Sequence, residues 1–399
     1  MRRTLFTIFS LIIWLLLCAA YPPQTGGEKI EWNSYLNYRF GETLILKGQL
    51  QIQEEPQTLT LVFQSDGQTI LQPVKVNEQG NFEYEHDFQQ TPFRPFSQVE
   101  YWLEGILQDG SPFTTSKKNF LYEDNRFPWK TRLQNPFRVH WRQGDLQFAQ
   151  TALNVAQEAQ TSIRKWLPVA FQGTIDIYIY ESPGELRQAL LISSNSWVGA
   201  HADPDLGVIL ISVSEGLDQR LQMEQQIPHE LMHIALYRYQ PEAYPNLPVW
   251  LQEGLATAVE LYPNPDYYAL LETAYQNGSL LAMSALCDTF PPQAAQAYLA
   301  YAQSASFVDY LVAQHGVEKI RQLIERYGDQ YDCEAGFYQN YGATLAQMEK
   351  EWQKAQFDES DSSQMLMSLI PWIALILFVL VVPLIYSLRL VSHLATRKE

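Results

Sequence analysis

The sequence predicts an α+β chain: an N-terminal immunoglobulin-like β-sandwich, then a mostly helical domain with a small sheet, then one C-terminal transmembrane helix. Three observations carry this. Residues 28–125 alternate apolar and polar positions between turn dipeptides, residues 137–357 turn mainly to helical spacing, and residues 366–388 run for 23 positions without a charge.

The first element is a targeting segment. Arg2 and Arg3 precede an uncharged apolar run, Thr4 to Ala20, that ends in small residues before Tyr21-Pro22-Pro23. A basic head, an apolar body and small residues at the end read as a signal peptide over 1–20. Retention of the segment as an N-terminal span stays open.

The sandwich follows. Leu44, Leu46, Leu50 and Ile52 alternate, as do Phe82, Tyr84 and Phe88, and Val99, Tyr101 and Leu103. Asp66-Gly67, Gln79-Gly80 and Asp109-Gly110 separate these runs as turns. Nothing in this stretch carries chemistry. A break near Asn125–Trp129 ends it.

Beyond the break, Gln143–Trp166 reads as a helix, and Thr174–Tyr180 and Gly207–Val213 read as strands. His201 precedes the second strand and reads as lining of a cleft or as an ordinary loop histidine. Beyond Leu261 the chain reads as helical to Phe357, including Ala294 to Gln314.

The chemistry sits in Pro228-His229-Glu230-Leu231-Met232-His233. On a helix, positions i and i+4 lie one above the other, so His229 and His233 can offer two imidazole nitrogens to one metal ion. Glu230 projects about 100° round the helix, within reach of a water but out of a ligand position. Such a set suits metal-assisted hydrolysis, the carboxylate acting as base. The apolar run Pro248–Leu261 carries a polar stripe of Glu253, Thr257 and Glu260 at i, i+4 and i+7. Turned inward, that stripe needs partners, and a metal ion with its histidines would be one. Proline at 228 predicts a helix start or a kink there.

His229-Glu230-x-x-His233, followed after nineteen residues by Glu253 in Trp250-Leu251-Gln252-Glu253-Gly254-x-Ala256, resembles the gluzincin metallopeptidases, and most of all the peptidase MA-like family. The likeness spans about Phe137–Phe357. It implies one Zn²⁺ per chain held by His229, His233 and Glu253, with Glu230 as general base. It also implies a peptide or protein substrate pairing with an edge strand, for which Val208–Ser212 is the expected segment. A Tyr from a later helix is expected at the oxyanion; Tyr301 is the candidate, with a packed core tyrosine as the alternative. Glu260 either orients a ligand imidazole or caps its helix. Leu236 and Tyr239 occupy the places of the metzincin Gly and third His, which excludes that pattern. Gln252 stands where zinc aminopeptidases have Asn.

Two cysteines remain once Cys18 leaves with the signal peptide, so Cys287 and Cys333 are expected as a disulfide, or else as two buried thiols. After a linker at 358–365, the apolar run at 366–388 is about 34 Å long as a helix. Acidic residues precede it, and Arg389, Arg397 and Lys398 follow in a tail at 389–399. The positive-inside rule then predicts a single-pass protein of the cell membrane. Its catalytic domain would be extracytoplasmic, its C-terminus cytoplasmic, and the bilayer a partner. A net charge of −17 argues against nucleic acid as a partner. Two other functions stay open: a catalytically silent surface binding or adhesion protein, and a zinc hydrolase of non-peptide amides or esters.

Overall fold

The computed structural model describes residues 28–190, 199–358, 370–373 and 375–379. Strands dominate the N-terminal part and helices the C-terminal part. The chain divides into two compact units, Met1–Lys130 with Gly184–Ser194, and Thr131–Pro183 with Asn195–Glu399.

The first unit holds β1 (Glu28–Ile30), β2 (Trp32–Arg39), β3 (Thr43–Leu50), β4 (Thr58–Ser65), β5 (Gln68–Pro73), β6 (Asn81–Asp87), β7 (Gln98–Ile106), β8 (Pro112–Thr115) and β9 (Lys118–Leu121). One sheet has the order β1-β8-β7-β4-β5 with β9 also on β7; the other is β2-β3-β6. Alternation explains the layering. Leu44 and Leu46 of β3 are fully buried with Ile45 exposed between them; in β7, Val99, Tyr101 and Leu103 are buried on one face, and Trp102 on the other face is buried as well. Rings bridge the two sheets, Trp32 to Tyr101 at 5.7 Å and Phe63 to Tyr84 at 6.0 Å between centroids. The β4–β5 turn places Asp66 and Gly67 both at positive φ, the backbone that a two-residue hairpin turn of this twist requires.

The second unit is built on a five-stranded sheet of order β10-β11-β12-β14-β13. Its strands are β10 (Lys130–Gln134), β11 (Phe137–Trp141), β12 (Ile175–Tyr180), β13 (Ala200–Asp203) and β14 (Val208–Ser212). β11, β12 and β14 run parallel, and β13 pairs antiparallel to β14. The helices in chain order are α1 (Leu146–Trp166), α2 (Pro183–Ala189), α3 (Gln219–Tyr239), α4 (Val249–Ala258), α5 (Asp266–Gln276), α6 (Ala294–His315), α7 (Val317–Gly328), α8 (Cys333–Tyr341) and α9 (Leu345–Gln353); all belong to this unit except α2, which from Gly184 on is counted with the first. Asp145 caps α1 by accepting from the amides of Gln147 and Phe148. Ala149, Ala152, Leu153, Ala156 and Ile163 then form a fully buried stripe that shares one core with Ile175, Ile177 and Ile179 of β12 and with Leu231, Ile234 and Ala235 of α3. Cys287 and Cys333 form a disulfide with Cα atoms 5.9 Å apart, tying the segment after α5 to the first turn of α8.

The expected transmembrane helix at 366–388 is corrected. Among the described residues no helix is long and apolar enough to cross a membrane. Helical backbone is described there at 370–373 and 375–379. Crossing a bilayer takes about 20 consecutive, predominantly apolar residues in one helix. The fold class, as a sandwich and peptidase domain ending in a membrane helix, falls with it. So do the single-pass membrane location, the topology drawn from its flanks and the bilayer as a partner. The segments read as signal peptide (1–20) and tail (389–399), and the linker from 359 onward, lie outside the described residues.

Candidate active site

Helix α3 carries the two histidines. Their rings meet edge-to-face one turn apart with centroids at 5.3 Å, and both Nε2 atoms turn toward one oxygen of Glu253 on α4. His229 Nε2 lies 3.1 Å from Glu253 Oε2 and His233 Nε2 lies 3.8 Å from it. One donor atom from each of the three residues falls within 4.8 Å of the other two. Nitrogen and oxygen ligands about 2.0–2.2 Å from a tetrahedral dication sit about 3.4 Å from one another, so this donor set fits such an ion. The second nitrogen of His229, Nδ1, is 3.2 Å from Glu260 Oε1.

Local packing places Glu253. The amide of Val249, at the start of α4, donates to the Cys287 carbonyl, and the Gln252 side chain donates to the Leu247 carbonyl. Trp250 is fully buried against Phe307 and Phe337. Gly254, next to Glu253, has no room for a side chain: a Cβ there would meet the Ser304 carbonyl oxygen of α6 at 2.6 Å. The glycine of the Trp250–Gly254 run is therefore a close-approach residue.

Glu260 arrives by a different route from the expected helical stripe. Helix α4 ends at Ala258, before Pro263 and Pro265, which disfavour helix in the residues preceding them. Glu253 and Thr257 share a helical face, and Thr257 is buried with no partner for its hydroxyl among the described residues. Glu260 lies past the helix end, held by its amide donating to Thr257 O and by the Leu261 amide donating to Glu224 O at 2.9 Å. Nor does α3 begin at Pro228; it starts at Gln219 and runs through the proline to Tyr239.

Burial dominates the electrostatics. It pushes the Glu230 carboxyl up to about 8, Glu253 and Glu260 adding to the effect and His229 opposing it. It pulls His233 down to about 4, against the attraction of Glu253. At His229 burial also pulls downward, but hydrogen bonds to Glu253 and Glu260 outweigh it and the net direction is upward. Glu253 is held below the usual carboxylate range because its two histidines outweigh burial. His233 Nδ1 is buried without a partner among the described residues. Three carboxylates and two imidazoles thus crowd a largely buried site, a setting in which a dication offsets the excess negative charge.

These groups line a cleft of about 620 Å³. On one wall α6 presents Ala294, Ala297, Tyr298 and Tyr301, spaced i, i+3, i+4 and i+7 on a single face. The Tyr301 ring centroid is 5.9 Å from that of His229, and burial holds its phenol well above the ordinary range. Tyr244, Tyr267 and Gln226 also border the cleft and were not singled out from the sequence. Gln226, one turn ahead of Glu230, clamps the end of β14 by hydrogen bonds to both backbone groups of Ser212. The glutamine carries no sequence signal, because the partner is backbone. The opposite wall is β13 with His201, whose side chain is 41% exposed. The expected edge strand is relocated accordingly: Val208–Ser212 lies between β12 and β13, fully buried, and β13 is the last strand of the sheet.

Residues 155–357 match the family described as the Peptidase MA superfamily. No curated protein matches the sequence significantly. Among solved structures, an aminopeptidase N family protein from Idiomarina loihiensis is similar at 11% identity and a TM-score of 0.32, over 82% of this chain and 70% of that one. A myokine structure aligns at 7% identity and a TM-score of 0.19, over 25% of this chain and 99% of its own. A bacterial ice-binding adhesin aligns at 12% identity and a TM-score of 0.19; the match covers 25% of this chain and 33% of the adhesin.

Proposed function

This chain belongs to the Peptidase MA superfamily, and from that premise we propose that it is a gluzincin-type metallopeptidase using one zinc ion. His229, His233 and Glu253 would hold the metal, and Glu230 would serve as general base. The observation that carries the reading is the convergence of one donor atom from each of those three residues within 4.8 Å, beside a buried carboxyl and at a cleft. Bound there, zinc supplies Lewis-acid polarisation of the scissile carbonyl and lowers the pKa of water.

The chain's own residues do the rest. Glu230 is one residue from His229 on α3 and lines the cleft, so its carboxylate takes a proton from the attacking water as the C–O bond forms. It returns that proton to the amide nitrogen as the C–N bond breaks. Tyr301 keeps its proton because burial raises its pKa, and so remains a hydrogen-bond donor for the oxyanion. Glu260, accepting from His229 Nδ1–H, leaves Nε2 free to face the metal position. An extended peptide would lie along β13, the outermost strand of the sheet, with backbone pairing supplying affinity that depends little on side chains.

The deciding experiment measures zinc content and peptide-library cleavage on purified protein, with and without a chelator. Stoichiometric zinc with chelator-sensitive cleavage supports the reading. Protein prepared with zinc present that retains none would end it, and zinc without hydrolysis of any peptide would favour a binding protein on this scaffold.

A further inference from the structure

We propose that Pro228 is a positioning residue: by withholding an amide it sets Glu260 against His229. The inference rests on the reading of His229 as a metal ligand. In an uninterrupted helix the amide of residue 228 would donate to the carbonyl of residue 224. Proline has no amide, and its ring crowds that carbonyl, so Glu224 O is left without its helical donor. The acceptor is taken instead from another element. The Leu261 amide donates to Glu224 O at 2.9 Å.

That bond falls where the site needs it. Helix α4 ends at Ala258, so nothing helical dictates the direction of Glu260. Its backbone is pinned on one side by its own amide donating to Thr257 O at 3.2 Å and on the other by Leu261 donating to Glu224 O. Between those two bonds the Glu260 carboxylate reaches His229 Nδ1 at 3.2 Å, with its side chain 8% exposed. Pro228 immediately precedes His229, so the residue that frees the carbonyl and the ligand that benefits are neighbours on one turn. The geometry gives the proline a use within the α3 helix that kinking alone would not: it makes a backbone acceptor available to the chain that carries the orienting carboxylate.

The test is Pro228→Ala in the full chain. Restoring the amide lets the helix reclaim Glu224 O, so the Leu261 amide should exchange its hydrogen at least about tenfold faster in the zinc-free protein. The zinc dissociation constant, read by competition with a chromophoric chelator, should rise about 10- to 100-fold. Glu260→Gln should cost a similar factor. The double variant should lose no more than the worse single, because both act through one contact. Unchanged Leu261 exchange in Pro228→Ala would overturn the proposal, as would single-variant losses that multiply in the double variant. Circular dichroism establishes that the variant folds. If wild-type protein binds no zinc, the metal reading fails by itself, and the Leu261 exchange rate still decides whether the proline makes this tie.

Discussion

Gly254 lies against the backbone of Ser304, so close that a methyl group on its Cα would sit 2.6 Å from the Ser304 carbonyl oxygen. Helices α4 and α6 approach at this point, and Glu253 is the residue before it. Gly254→Ala should therefore push the helices apart, destabilising the fold by about 1–3 kcal/mol and displacing Glu253 from the histidines. Thermal unfolding and zinc content measured together would check this; a variant as stable and as zinc-replete as wild type would refute it.

Removing a donor should separate binding from chemistry. His229→Ala and Glu253→Ala should lose most of their zinc together with activity. Glu230→Gln retains all three donors and should keep zinc near one per chain, while hydrolysis falls by about 10²–10⁴. Elemental analysis alongside kcat decides it, and equal zinc loss in all three variants would show that Glu230 serves the metal instead of the proton.

Tyr301→Phe removes one hydroxyl beside His229 and leaves the ring in place. If that hydroxyl donates to the oxyanion, kcat should fall about 10²–10³ with KM and zinc content unchanged. Retained kcat would return Tyr301 to a packing role against Phe290, whose ring lies 5.0 Å away.

The Cys287–Cys333 bond closes a loop across a separation of 46 residues. On the chain-entropy account, replacing both cysteines by serine should cost about 3–4 kcal/mol. Denaturant unfolding of the oxidised protein against the double variant measures it, and equal midpoints would contradict the estimate.

Asp176 is partly buried, and burial alone would raise its carboxyl. Hydrogen bonds from His140, 2.6 Å away, and from Arg138 outweigh burial, so its folded pKa lies below the ordinary 3.8. A depressed carboxylate contributes stability that is present above the unfolded pKa and is lost as pH falls through the folded one. Stability should therefore drop on acidification below about pH 4, and Asp176→Asn should be less stable at neutral pH with a shallower acid limb. Melting temperatures from pH 2 to 7 test the sign; an acid limb in Asp176→Asn as steep as in wild type would reject this assignment.

Much of the site was legible because its first half is local. His229 and His233 share a face by the period of the helix alone, and Glu253 follows at a spacing that a second helix folded back on the first can use. The β3, β6 and β7 alternations likewise place their buried residues without reference to distant parts of the chain. Glu253, Thr257 and Glu260 are all largely withdrawn from solvent, but the helix carries only the first two of them.

By itself, then, the sequence determined what depends on neighbours along the chain: the paired histidines, the carboxylate beside the first of them, and the two cysteines available to each other. Tertiary structure alone decided that β13 and not β14 is the outer strand, that Tyr301 faces His229, and that the carbonyl freed by Pro228 finds Leu261 and so aims Glu260. Among the described residues it shows no helix long and apolar enough to cross a membrane, against the span that apolar composition at 366–388 suggests. The reason is physical. Helical and strand periods are set by backbone sterics within a few residues. The partner of a freed carbonyl and the order of strands in a sheet depend on contacts between segments that no local spacing encodes.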